Sequence, residues 1–475
     1  MTFPGFRPSR AAAVLALVLG LTAPAAAPAQ TLADALVAAY ENSNLLEQNR
    51  ALLRAADEDV AQAVAALRPV VNFVARAEAT SVLTRQSAIP AGVPGGPRPA
   101  RDVRTNDLQG SLAVSAELTV FDFGRNRLGI EAAKGTVLAT RQALVGLEQR
   151  VLLNAAAAFM DVRAARANVD LREANVRLIT QELRAARDRF EVGEITRTDV
   201  AIAEARLAGA RSQLAAAQGE LTVAREAYRA ATGTEPGQLR APSALPRLPA
   251  NVDAAKAIAR DRHPSIRQAQ FEVEVGDLNL ARAAAQRQGQ VVGSANLTVD
   301  QDRRDRSSLS LSYSRPLYTG GQLPSLERQA RAQRDASRSN LHQVTVEVLE
   351  TVGRSWSDLV VASARIEASD RQIEAAQTAF EGVQQEAELG ARTTLDVLNA
   401  EQELLDARAA RISAETGRVV AVYAVLSSMG LLTVEHLNLG IPVYDPEAYY
   451  NAVRSAPVRS PQGEQLDRVL RRLQP

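Results

Sequence analysis

Side chains equipped for chemistry are few in this chain, and they do not converge. It has three histidines and no cysteine in 475 residues. His263, His342 and His436 are scattered and read as surface residues, and no HExxH helix is present. No Walker-type glycine loop occurs, and Gly320-Gly321 falls at a strand-to-helix junction rather than in a nucleotide fingerprint. The missing cysteine excludes a disulfide scaffold, thiolate metal sites and an N-terminal lipid-bearing cysteine. Catalysis therefore finds no support, and no cofactor or metal is implied.

What does recur is a polar turn. Val192-Gly193-Glu194-Ile195-Thr196-Arg197-Thr198-Asp199 is echoed by Leu389-Gly390-Ala391-Arg392-Thr393-Thr394-Leu395-Asp396. The chemistry available to it is structural: glycine permits a backbone path that other residues resist. Thr198 or Asp199 in the first turn, and Asp396 in the second, are suited to cap the helix that follows.

These turns belong to a duplication. A shift of 197 residues lays Gly124 on Gly321, Gly193 on Gly390, Thr196 on Thr393 and Asp199 on Asp396. The same shift lays Val200 on Val397, Glu204 on Glu401, Leu207 on Leu404 and Arg211 on Arg408. Each copy reads as a helix, two strands, a very long helix, the turn and a shorter helix.

From 125 to 190 the pattern is helical without a proline, with apolar positions advancing by threes and fours: Leu144, Leu147, Val151, Ala155, Ala158 and Val162. Spacing that averages about 3.5 argues for helix-on-helix coiled-coil packing. The run is roughly 100 Å long at 1.5 Å per residue. In the second copy its counterpart spans 322 to 387. The shorter helices, 31 to 67 with 200 to 231 and 252 to 286 with 397 to 428, match that length when spliced in pairs, so each copy makes a tall wall. His263-Pro264 is expected to break or kink the 252–286 helix near its start.

The strands alternate. Leu112, Val114, Ala116, Leu118 and Val120 share a face opposite Ser111, Ser115, Glu117 and Thr119. In the second copy Val291, Gly293, Ala295, Leu297 and Val299, then Leu309, Leu311 and Tyr313, repeat the pattern. Val71, Phe73, Ala75 and Ala77 begin the first strand, and residues 84 to 106, with four prolines and three glycines, read as a long exposed loop. Strands of about ten residues cross a bilayer when tilted, with the apolar row toward lipid and serine and threonine toward a lumen. Four strands cannot close a barrel, so a homo-oligomer sharing one barrel is expected, and three chains would give twelve strands.

Composition agrees with export to an envelope. Arg7 and Arg10, the apolar run from Ala11 to Thr22 and Ala27-Pro28-Ala29 form a signal peptide over 1–29. No later stretch reaches 18 apolar residues, so a membrane would be crossed by strands. A net charge of +1 leaves no nucleic-acid footprint. The copies are expected at 30–232 and 252–430, with a proline-rich connector at 233–251 and a tail at 431–475 carrying a short helix around Leu466, Val469, Leu470 and Leu473.

The duplication, the Phe121-Asp122-Phe123-Gly124-Arg125 and Pro316-Leu317-Tyr318-Thr319-Gly320-Gly321 junctions, and the paired turns resemble the outer-membrane efflux proteins of the TolC type. The resemblance covers roughly 31 to 430. It implies a mainly α protein with membrane β structure: a trimer with a periplasmic α-barrel and a shared 12-stranded β-barrel in the outer membrane, four strands per chain. An equatorial belt would come from 233–251 and the C-terminal segment. It also implies a passive exit duct of a tripartite efflux or type I secretion system, working with a periplasmic adaptor and an inner-membrane pump of the resistance-nodulation-division or ABC type. By that resemblance Asp396 and Asn399 match the periplasmic aperture, Asp396 giving a cation-attracting ring. Arg392 matches a gate latch with Thr198 and Asp199 as partners, while Ala387 stands where a tyrosine link would be. The turns at Val192, Gly193 and Glu194 and at Leu389, Gly390 and Ala391 match adaptor-docking tips. The rival reading is a periplasmic coiled-coil adaptor or scaffold. Adaptors devote most of their chain to β-rich domains around one hairpin, whereas helices dominate here and the pattern occurs twice.

Overall fold

The computed structural model describes residues 30–88, 94, 99–242, 244–456 and 468. The signal peptide and the tail helix around Leu466 and Leu473 lie outside the described residues. The chain runs α1 (Leu32–Asn42), α2 (Asn44–Ala65), β1 (Val70–Gln86), β2 (Arg101–Phe121), α3 (Arg125–Glu191), α4 (Arg197–Thr232), α5 (Val252–Arg262), α6 (Pro264–Ala285), β3 (Gln290–Asp300), β4 (Asp305–Ser314), α7 (Gln322–Glu388), α8 (Thr394–Ser428) and α9 (Pro446–Val453). Both long helices, α3 and α7, have 67 residues.

Three expectations need correction. The first helix is two, because Ser43 leaves helical geometry at φ −74° and ψ 103° and its hydroxyl accepts from the Leu46 amide at 3.3 Å. A polar residue can thus end one helix and start the next without disturbing the apolar period around it. The second copy breaks at the corresponding place as expected, at His263 between α5 and α6. Strands β1 and β2, of 17 and 21 residues, run well past ten and into the expected loop. Their rungs continue from Ala77–Gly110 to Gln86–Arg101, joined by polar pairs such as Ser81–Asn106 at 2.7 Å. The helices after the two turns are capped by Thr196 and Thr393, not by Thr198, Asp199 or Asp396.

The chain forms two compact units. One contains residues 47–145, 264–347 and 444 onward. Its four strands make one antiparallel sheet in the order β1-β2-β3-β4. The register sets Phe73 beside Val114 and Val114 beside Leu297, and Ala116 beside Ala295 and Ala295 beside Leu309. Directly opposed residues share a face, so one face is an apolar row across all four strands. The other carries Asn72, Ser115, Asn296 and Ser308 on one rung, and Glu117, Ser294 and Ser310 on another. Within the chain the apolar row is uncovered: Leu309 is 87% exposed and Leu311 71%. At the end of β2 the Asp122 carboxylate accepts from the Gly124 and Asn126 amides at 3.1 and 2.7 Å, which starts α3. The helical part of this unit packs Leu53, Val60 and Val137 against Tyr444 and Tyr450. Arg141–Glu447 at 3.2 Å and Tyr449 to Glu58 at 2.7 Å fasten α9 there.

The other unit holds residues up to 46, 146–263 and 348–443. Thr31 and Asp34 form a capping box at the start of α1, and the Asn42 amide donates to the Thr232 carbonyl at the end of α4 at 3.0 Å. Gly233 ends α4 at φ 73°, in the left-handed region that glycine enters at no steric cost. Two helical hairpins occupy the rest: α3 with α4, and α7 with α8.

Candidate functional site at the hairpin tips

The two tips are built alike. Gly193 and Gly390 have φ of 80° and 79°, and their amides return to Phe190 and Ala387 carbonyls at 3.0 and 3.1 Å. A longer bond closes each turn, from Glu194 to Arg189 at 2.9 Å and from Ala391 to Glu386 at 2.8 Å. This is how a helix that ends in left-handed glycine satisfies its last carbonyls. Thr196 and Thr393 then cap α4 and α8, each in a reciprocal box with an aspartate three residues on. Asp199 accepts from the Thr196 amide and hydroxyl at 2.9 and 2.7 Å. Asp396 does the same with Thr393 at 3.0 and 2.8 Å. These bonds hold both carboxyls below the usual aspartate range.

Between the tips lies a cleft of about 460 Å³ lined by Arg189, Glu194, Asp199, Gly390, Arg392 and Thr393, among others. It brings Arg392 and Asp199 to one place without bonding them. Arg392 donates instead to Glu386 of its own hairpin at 2.7 Å. Thr198 does not line this cleft. The apolar tip residues Val192 and Leu389 are 71% and 86% exposed, so both turns end in an uncovered side chain.

Contacts between hairpins sit higher and were not foreseen. Leu398 of α8 enters the first hairpin's core of Ile179, Leu183, Ala203, Leu207 and Ala210. Leu178 of α3 packs on the second core of Ala376, Phe380, Ala387, Val397 and Leu404. Arg206 of α4 donates to Asn399 Oδ1 at 2.9 Å. Asn399, read from sequence as an aperture position, is therefore also a hydrogen-bond acceptor across the seam.

Among the described residues the sheet exposes an apolar row and pairs β1 and β4 on one side only, in a chain of duplicated 67-residue helices. The outer membrane efflux protein family model matches residues 35–234 and 257–431. The chain belongs to that family. It is 34% identical over 466 residues to the outer membrane efflux protein BepC of Brucella suis biovar 1, covering 95% of this chain and 97% of that protein. It is 27% identical over 254 residues to the proteases secretion protein PrtF of Dickeya chrysanthemi, covering 50% of this chain and 55% of that one. Among solved structures, the outer membrane protein VceC of Vibrio cholerae superposes with a TM-score of 0.71 at 21% identity, covering 84% of this chain and 96% of that one.

As a family member the protein is an outer-membrane efflux duct that extends into the periplasm, and it is a channel rather than an enzyme. Among the described residues α3 alone carries an 18-residue window of mean hydropathy 1.2, enough by composition for a membrane span. Its full length of about 100 Å is some three times a bilayer core. Apolar side chains in α3 serve helix packing, and the membrane is met by the sheet.

Proposed function

We propose that this protein is the trimeric exit duct of a tripartite efflux system. Three copies close one barrel from their four-stranded sheets, and the duct opens at the hairpin tips when a periplasmic adaptor and an inner-membrane pump engage it. The observation that carries the reading is the uncovered apolar row running in register across β1 to β4, with unpaired edges on β1 and β4. Unpaired edges and an apolar face are both costly in water, and both costs vanish when a closed ring of strands sits in lipid. Efflux is favoured over type I secretion because the efflux-named relative matches 95% of the chain, whereas secretion-named relatives match 50% and 62% of it.

In this reading the exposed Val192 and Leu389, beside Gly193, Glu194, Gly390 and Ala391, are the docking tips. Asp396 and Asn399 form the aperture. Arg392, lining one cleft with Asp199, trades Glu386 for the Thr198–Asp199 pair as the tips change state. The test is detergent extraction followed by planar-bilayer recording. Heat-resistant trimers that conduct are expected, with conductance altered by Arg392→Ala and by Asp199→Ala. Monomers in the soluble periplasmic fraction would sink the duct and favour a scaffold protein; parental conductance in both variants would remove the latch alone.

A further inference from the structure

Glu401 has no role in that account, yet in the unit that holds residues 146–263 and 348–443 it is the carboxylate whose two oxygens are buried and unpartnered. It lies in α8 about two turns above the tip, only 5% exposed, and neither carboxylate oxygen has a hydrogen-bond partner. It lines a cavity of about 340 Å³ between α3, α4 and α8, together with Asn175, Arg206, Gln213, Leu398 and Gln402. Asn175, from α3, is itself buried.

The charges around it make an ionised carboxylate worse off. From α3 comes Glu182, a like charge whose field reaches Glu401. Glu182 in turn lies in the fields of Arg189 and, from α7, Glu388. From α4 comes Arg206, but its guanidinium is committed to Asn399 at 2.9 Å. In the first hairpin the equivalent carboxylate, Glu204, is held by Arg187 at 2.6 Å. The residue equivalent to Arg187 in α7 is Gln384, which carries no charge. The second hairpin has kept the acid and lost its cation.

We propose that Glu401, with Glu182, is a proton-binding site that governs the seam between the two hairpins: with the proton bound the seam stays packed, and without it the hairpins part. The functional consequence, easier opening of the duct, rests on the proposed function; the proton site itself does not. Burial first, and Glu182 second, push the Glu401 carboxyl up from an ordinary 4.5 to about 7. A carboxyl raised in the packed state favours packing at low pH. That advantage is lost progressively as pH climbs from about 4.5 to about 7. Asp199 and Asp396 move the opposite way: their caps hold at neutral pH and weaken only on strong acidification, so they cannot imitate the effect.

The experiment is hydrogen–deuterium exchange on the full chain in detergent, following peptides over 175–183 and 397–405 at about pH 5.5 and pH 8, corrected for intrinsic rates, with bilayer conductance recorded in parallel. The parent should lose protection by about tenfold at the higher pH. Glu401→Gln, which mimics the protonated acid in size and charge, should stay protected at both. An identical pH step in parent and variant overturns the proposal. A conductance step that survives Glu401→Gln and disappears in Asp396→Asn overturns the link from this site to opening, because the sensor of opening is then the aperture aspartate. An exchange step that needs Glu401 in a protein that never conducts supports the proton site while removing the duct.

Discussion

The first helical hairpin turns at Gly193 and the second at Gly390, and the two tips share the same backbone turn and capping box, differing in the Arg392–Glu386 pair of the second. Two turns higher they differ. Glu204 is half exposed and paired with Arg187, while Glu401 is buried without a partner against Glu182. The tip is a local solution, closed by glycine geometry and a capping box, and it tolerates any surroundings. The region above is decided by what packs on it, and only the second hairpin pushes a carboxylate, together with Leu398, into its neighbour. A duplicated sequence can therefore keep identical ends and still assign one copy to hold and the other to respond.

The hardest blow to that asymmetry is Leu398→Ala. The side chain is 3% exposed and completes the first hairpin's core from the second. Loss of such a buried leucine costs about 2–5 kcal/mol. Its counterpart in the first copy, Ala201, is already small and exposed, so Ala201→Gly is expected to cost only about 1 kcal/mol, the helix-propensity difference. Denaturant unfolding of the two variants checks both figures. Equal losses would mean the seam is not held by Leu398.

Next in size are the caps. Thr196→Ala and Thr393→Ala should each cost about 1 kcal/mol. The two values should agree, because the hydroxyl bonds lost are the same to within 0.1 Å. Local protection of the first turns of α4 and α8 is the suitable measurement. A twofold disagreement would show that the tips feel their surroundings after all.

Much of this was legible in the residues. Helices α3 and α7 follow from uninterrupted periods, and the face of each strand follows from alternation, since a shift of one residue would invert every side chain. The polar extension of β1 and β2 was not legible, because backbone pairing with water on both faces requires no apolar row. Ser43 breaks its helix with no proline to announce it. At the tip the latch and aperture residues could be placed only by resemblance, and the partners of Arg392 and Asn399 depend on three-dimensional contacts. Pairing Glu204 with Glu401, and Arg187 with Gln384, is a sequence operation. That Glu401 is buried and Glu204 is not depends on Leu398 drawing α8 onto α3, which no single-copy pattern reveals.

The mildest effects come from exchanging the differing residues between copies. Arg187→Gln gives the first hairpin the second hairpin's polar residue. Because the Arg187 and Glu204 side chains are 56% and 51% exposed, water replaces the lost partner. The expected cost is about 0.2–1 kcal/mol, diminished further by salt. No pH step should appear, since Glu204 stays solvated. Gln384→Arg makes the reverse exchange. A guanidinium placed as Arg187 is in the first hairpin lowers the pKa of Glu401, so the loss of seam protection should begin at a lower pH than in the parent. If Arg187→Gln creates a pH step in the first hairpin, a missing cation is sufficient to make a proton site. If it does not, while Gln384→Arg shifts the step in the second, burial is the condition and the cation only tunes it.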